Sequence, residues 1–112
     1  ELAEATLSTT DPDLFQPDTE RPAFFQVAAQ TRLKRYGYDC YAYALLAAGF
    51  MDLVIEAGLQ TYDVQALIPV IEAAGGVITD WQGGSAVQGG RVVAAGDPRV
   101  HAAALEILSR AG

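Results

Sequence analysis

The sequence predicts one small domain of layered α/β architecture, and three observations predict it. Apolar residues make up 51% of the 112 positions, enough for a packed core. Short β-branched runs alternate along the chain with stretches whose apolar residues recur every three or four positions. Glycine pairs, prolines and Asp-Pro steps fall between those stretches, where helices and strands need to stop or start.

Leu2 to Leu7 reads as a short strand, and Ser8, Thr9, Thr10, Asp11 and Pro12 follow as a cluster of turn formers. Pro22 stands near the start of a helix that carries Phe24, Val27 and Ala28 and runs to about Thr31. Leu33 to Tyr36 extends again. After Gly37, the spacing of Tyr41, Ala44, Leu45 and Ala48 predicts a buried helix that Gly49 stops. Leu53, Val54 and Ile55 form a central strand flanked by Asp52 and Glu56. A helix opens at Asp63 with Val64, Leu67, Ile68 and Ile71 on one face. Gly75 and Gly76 close it, and Pro69 inside it predicts a kink or a local widening. Val77 to Thr79 and Arg91 to Ala95 read as strands. The last helix takes Asp97 as its cap and Pro98 as its first residue, and buries Val100, Ala104, Ile107 and Leu108. The glycine pairs are spaced too irregularly for a phosphate-cradling loop and read as turns.

Charge narrows the function. Fourteen acidic against seven basic side chains give a net charge of −7, which repels a nucleic-acid backbone, and Arg32, Lys34 and Arg35 are too few for a groove-tracking patch. Nucleic acid is therefore not an expected partner. The single Cys40 has no second thiol for a disulfide or a thiolate metal site, which suits a reducing, cytoplasmic setting. His101 is the only histidine and sits in an Ala-rich helix, so both residues read as structural rather than as a nucleophile and its base. No apolar run reaches membrane-spanning length. The N-terminus shows neither a signal peptide nor an initiator methionine, as if cut from a longer chain.

The chemistry-bearing constellation is a pair of carboxylates. Read alone, Asp63 caps a helix and favours its dipole. Glu56 lies seven positions earlier, at the end of the central strand, so both carboxylates fall at the carboxyl edge of the sheet, where open α/β folds place their ligands. Hard cations such as magnesium take oxygen ligands of this kind, together with substrate phosphate and water.

Around that pair the sequence carries a longer pattern. Tyr62-Asp63-Val64-Gln65-Ala66, continuing through Ile71-Glu72-Ala73-Ala74-Gly75-Gly76 to Thr79-Asp80, resembles the second signature of the inositol monophosphatase family. That signature runs Trp-Asp-x-x-Ala, an apolar helix, then Ala-Gly-Gly and a strand. Tyr62 in place of the Trp resembles the histidinol-phosphate phosphatase branch. So do Gly37-Tyr38-Asp39-Cys40-Tyr41-Ala42-Tyr43, Asp52-Leu53-Val54-Ile55-Glu56 and Leu7-Ser8-Thr9-Thr10. The match runs along nearly the whole chain in one unbroken order.

The resemblance implies that residues 1–112 are the C-terminal subdomain of a layered α/β sandwich, the inositol monophosphatase and sugar phosphatase fold. It implies that Asp63 is a direct Mg2+ ligand and that Glu56 contacts the alcohol portion of a small phosphorylated substrate. Gly37, Tyr38 and Asp39 would line the same pocket, and Thr9 is expected to bind substrate with them. Asp39 stands where many inositol-type members have a small neutral residue. An anionic loop suits the ammonium and imidazole of histidinol phosphate better than a neutral polyol, although Asp39 is equally placed to cap the helix that follows.

Family members hold further metal ligands in an N-terminal half, in a Glu-bearing segment and an Asp-Pro-Ile/Leu-Asp-Gly motif. Asp11-Pro12-Asp13-Leu14-Phe15 has the wrong order and lacks the glycine, so the metal cluster is incomplete in this chain and the N-terminal half of the same enzyme is an expected partner. The implied activity is metal-assisted hydrolysis of histidinol phosphate in histidine biosynthesis, by a homodimer when complete. Hydrolysis of inositol phosphate and a non-catalytic binding or assembly role are the alternatives. By itself the chain is expected to be silent and to associate through a patch including Phe24, Phe25, Tyr41, Leu45 and Leu46.

Overall fold

A computed structural model describes residues 2–9, 15–36, 46, 49, 51–59, 61–87 and 89–111, with the backbone alone for 35, 36, 61–63 and 111. Cys40 and most of the helix read over Tyr41 to Ala48 lie outside the described residues. Leu46 is helical and buried.

Five strands form one mixed sheet: β1 (Thr6–Thr9), β2 (Leu33–Tyr36), β3 (Leu53–Leu59), β4 (Val77–Thr79) and β5 (Gly90–Ala95), in the spatial order β2-β1-β3-β5-β4. β1 pairs in parallel with β2 and with β3, while β5 runs antiparallel to both β3 and β4. β3 is thus the middle strand, and Leu53 to Ala57 are all buried. Side chains alternate across a strand, so successive residues of β3 feed two separate cores. Leu53, Ile55 and Ala57 join Leu7, Val93 and Ala95 beneath α1 (Glu20–Ala28) and α3 (Pro98–Leu108). Val54 joins Val92, Ala94 and Ile78 on the other face, against Val64 and Ile71 of α2 (Thr61–Ala73) and against Leu46 and Met51. A sheet covered on both faces is the layered α/β fold that the alternation predicts.

Most boundaries fall where the residues place them. Asp97 accepts a hydrogen bond from the Arg99 amide at 2.8 Å, and Pro98 opens α3, whose inner face is Val100, His101, Ala104, Ile107 and Leu108. α2 ends in a Schellman closure: the Gly76 amide donates to the Ile71 carbonyl at 2.9 Å and the Gly75 amide to that of Glu72 at 3.0 Å. Gly75 takes the required left-handed φ of +84°. At Gly76 a Cβ would lie 2.9 Å from the Ala95 carbonyl oxygen, so the glycine lets the helix end pack onto β5.

Four readings change. Leu2–Glu4 forms a 3-10 turn, and β1 begins only at Thr6, where the Thr6 amide donates to the Asp52 carboxylate at 2.8 Å. α1 begins at Glu20 and stops at Ala28, three residues short, where Thr31 turns its hydroxyl back onto the Ala28 carbonyl. The central strand runs to Leu59 instead of ending at Ile55. Phe24 is fully buried inside this chain, stacked on Phe15 at 4.9 Å, with Trp81 tilted against Phe15 at 5.9 Å. Of the expected exposed patch, Phe25 is open, Leu46 is buried, and Tyr41 and Leu45 lie outside the described residues.

Polar contacts brace the α1 side. Arg91 Nε donates to Glu20 Oε2 at 2.6 Å, and its guanidinium lies 5.2 Å from the centre of the Trp81 ring. Glu20 Oε1 also accepts from the Gln16 amide at 2.8 Å, so the buried carboxylate meets both a cation and a backbone donor.

His101 is structural, as its Ala-rich helix predicts. It is buried in α3, with Nε2 2.7 Å from Thr79 Oγ1 on β4. The Thr79 hydroxyl donates to the Asp80 carbonyl at 2.7 Å, which leaves its oxygen to accept from Nε2–H. Burial holds the imidazole pKa below its ordinary 6.5. The unfolded chain therefore binds the proton first, and stability present above pH 6.5 is lost as the pH falls below it. Denaturant midpoints should fall between about pH 7.5 and 5.5, and fall less in His101→Gln. Identical slopes in both proteins would remove His101 as a source of acid sensitivity.

Candidate functional site

β1, β2 and β3 run parallel, so their carboxyl ends share one edge of the sheet. The register sets Leu7 beside Leu53, Ser8 beside Val54 and Thr9 beside Tyr36, the last residue of β2. Glu56 on β3 lies one step beyond the residue that continues this register opposite Thr9. The two side chains meet there, and the Thr9 hydroxyl donates to Glu56 Oε2 at 3.3 Å across 47 positions of sequence.

Glu56 is 3% exposed and Thr9 1%. A carboxylate this deep in a sheet loses most of its hydration, a cost met only by hydrogen bonds or charges around it. The Thr9 hydroxyl is one such partner, and Glu56 has further ones. The neighbouring Ser8 hydroxyl is buried and has no hydrogen-bond partner among the described residues.

Directly after Glu56 the pairing slips. Glu56 faces Val92 and Leu59 faces Gly90, so β3 holds one more residue than β5 in that interval, and Gly58 adopts a φ of +74°. A bulge of this kind bends the strand and increases its twist. It separates Glu56 from α2, whose third residue is Asp63. The backbone thus brings Asp63 into the first turn of the helix that follows β3, where the positive end of the helix dipole favours a carboxylate. The Asp63 side chain, and Gly37, Tyr38 and Asp39 altogether, lie outside the described residues.

Of the predicted site residues, the structure brings Thr9 and Glu56 into contact and sets the Asp63 backbone in the first turn of α2. Sequence reasoning missed the bulge. Its signal was a glycine, Gly58, inside a run that otherwise reads as strand. Among the described residues no cluster of three His, Cys, Asp or Glu side chains could hold a metal ion. The donor types nevertheless suit a hard dication, since Asp63 and Glu56 offer only carboxylate oxygens. One or two carboxylates hold magnesium only with help from substrate phosphate and water.

An acidic recess lies at the opposite end of β3 from Glu56. It has a volume of about 260 Å³ and is lined by Leu46, Met51, Asp52, Gly96 and Asp97, among others. Its carboxylates serve the fold. Asp52 accepts from the Thr6 amide, and Asp97 caps α3, where the Arg99 side chain and amide hold its pKa below the usual carboxylate value. No helix among the described residues is long and apolar enough to cross a membrane.

The sequence profile of the inositol monophosphatase family matches residues 1–112. The chain is 53% identical to the chloroplastic bifunctional phosphatase IMPL2 of Arabidopsis thaliana, over 96% of this chain and 33% of that protein. It is 31% identical to a histidinol-phosphatase of Chlorobaculum parvum, over 62% of this chain and 27% of the relative. A solved structure of an inositol monophosphatase from Zymomonas mobilis superposes with a TM-score of 0.91 at 40% identity, over 96% of this chain and 43% of the other. An IMPase/NADP phosphatase complexed with Mg2+ and phosphate shares the fold at 16% identity and a TM-score of 0.79, over 98% and 41% of the two chains. The chain therefore spans 27–33% of the length of these curated relatives and less than half of the solved structures.

Proposed function

We propose that this chain, which belongs to the inositol monophosphatase family, is the C-terminal half of a magnesium-dependent phosphatase acting on histidinol phosphate. Membership of the family and similarity to relatives named as phosphatases support phosphate monoester hydrolysis. The observation that carries the finer reading is the buried carboxylate of Glu56, held at the carboxyl edge of the sheet one bulge and one helix turn before Asp63. A desolvated anion at a ligand-binding edge favours an organic cation over a neutral polyol, and histidinol phosphate carries an ammonium group beside its imidazole. The identity to a histidinol-phosphatase supports the same choice.

In this reading Asp63 is the chain's contribution to the ion site, Glu56 meets the alcohol portion of the substrate, and Gly37, Tyr38 and Asp39 line the pocket. Bound magnesium would supply an activated water and stabilisation of the leaving oxygen. The remaining ligands would come from an N-terminal half, which fits the fraction of its relatives that the chain spans. Inositol phosphate is the second reading, favoured by the 40% identity to the Zymomonas mobilis enzyme.

Two measurements test this reading. Asp63→Asn in the complete enzyme should remove most magnesium-dependent turnover while leaving the fold intact. A lost ligand costs several kcal/mol of transition-state stabilisation and a lost helix cap only about 1 kcal/mol of stability. Near wild-type turnover at unchanged magnesium dependence would refute the ligand assignment. For selectivity, Asp39→Asn or Glu56→Gln should raise KM for histidinol phosphate about tenfold, and raise it less for inositol phosphate, since a hydrogen bond to a charged group contributes about 1.5–3 kcal/mol. Equal changes on both substrates would count against recognition of a cation.

A further inference from the structure

We propose that Thr9 acts as a positioning residue, whose hydroxyl aims the Glu56 carboxylate at the substrate without touching the substrate itself. The proposal rests on the reading that Glu56 meets the alcohol portion of the substrate.

Thr9 and Glu56 are 1% and 3% exposed, so the contact between them lies beneath the surface of the sheet edge. A hydroxyl has one proton to donate, and here it goes to Glu56 Oε2. Rigidity points the same way. A threonine is stiff at χ1 because two heavy atoms sit on its Cβ, and at the end of β1 its backbone pairs with Tyr36 of β2. Glutamate has three side-chain torsions, and Glu56 sits at the last regular pair of β3 before the strand bulges at Gly58. The stiff member of the pair fixes the loose one.

This assignment separates Thr9 from a plain core residue. A threonine needed only for packing is replaced well by valine, which has the same shape. A threonine needed for its donor is replaced by serine. In the complete enzyme with histidinol phosphate as substrate, Thr9→Val should raise KM about tenfold. Its kcat should stay within about threefold, because an interaction made equally in ground and transition states shows in KM. Thr9→Ser should remain near the wild type. In a Glu56→Gln background, Thr9→Val should add less than about twofold, since the two side chains act as one unit.

The failures are distinguishable. If Glu56→Gln leaves KM unchanged, the Glu56 reading falls and this proposal with it. If Glu56→Gln raises KM but Thr9→Val does not, the positioning role is overturned and the Glu56 reading stands. The positioning role is also overturned if the Thr9→Val effect persists in full in the Glu56→Gln background, which would make Thr9 a direct contact. Thr9→Ala, read in the same way, serves where valine packs poorly.

Discussion

A buried carboxylate in the middle strand of the sheet is the constraint that the rest of the site answers to. Glu56 occupies a position where an aliphatic residue would cost nothing, since Val54 and Ile55 just before it are fully buried in the two cores. Holding an anion there requires donors at fixed places. β1 supplies one, because its parallel pairing with β3 sets Thr9 one step from Glu56. The bulge at Gly58 then lets β3 leave the regular ladder, so that α2 can start with Asp63 in its first turn. Strand register, bulge and helix start together set the Glu56 carboxylate and the Asp63 backbone on consecutive elements, β3 and α2.

The scaffold around this device is conventional in its physics. Alternation along β3 and β5 feeds two cores, each sealed by helices, and the sheet cannot slide by one residue without exchanging them. Glycine at the end of α2 removes the side chain that would keep the helix off Ala95. The Glu20–Arg91 pair, with Trp81 beneath the guanidinium, ties the start of α1 to β5 across 71 positions of sequence. The Gly76 contact lies at the end of the sheet opposite Glu56, and Arg91 stands beside Val92, the residue paired with Glu56.

Much of this was legible in the residues, and the exceptions have physical causes. Asp97-Pro98 and Gly75-Gly76 mark helix ends through purely local chemistry, so both boundaries hold. Val77 to Thr79 and Arg91 to Ala95 are recognisable because β-branched residues between glycines leave little else to form. The start of β1 is not legible locally because Leu2 to Leu7 is rich in apolar residues, and only the Thr6 contact with Asp52, 46 positions away, decides where pairing begins. The true length of β3 is hidden for a related reason: a glutamate and a glycine look like a strand end unless the partner strand is known. At the site, the signature picks out Glu56 and Asp63. The bond between Thr9 and Glu56 depends on strand order, which no local pattern encodes.

The central claim is that this chain carries part of a phosphatase site and needs the N-terminal half to complete it. The most direct test is phosphate release from histidinol phosphate with magnesium, by the purified 112-residue chain alone and after addition of the N-terminal half in trans. The account predicts no release from the chain alone and magnesium-dependent release from the mixture. Phosphate release by the monomeric chain alone, at about 1 s⁻¹ or faster as is ordinary for enzymes, would contradict it.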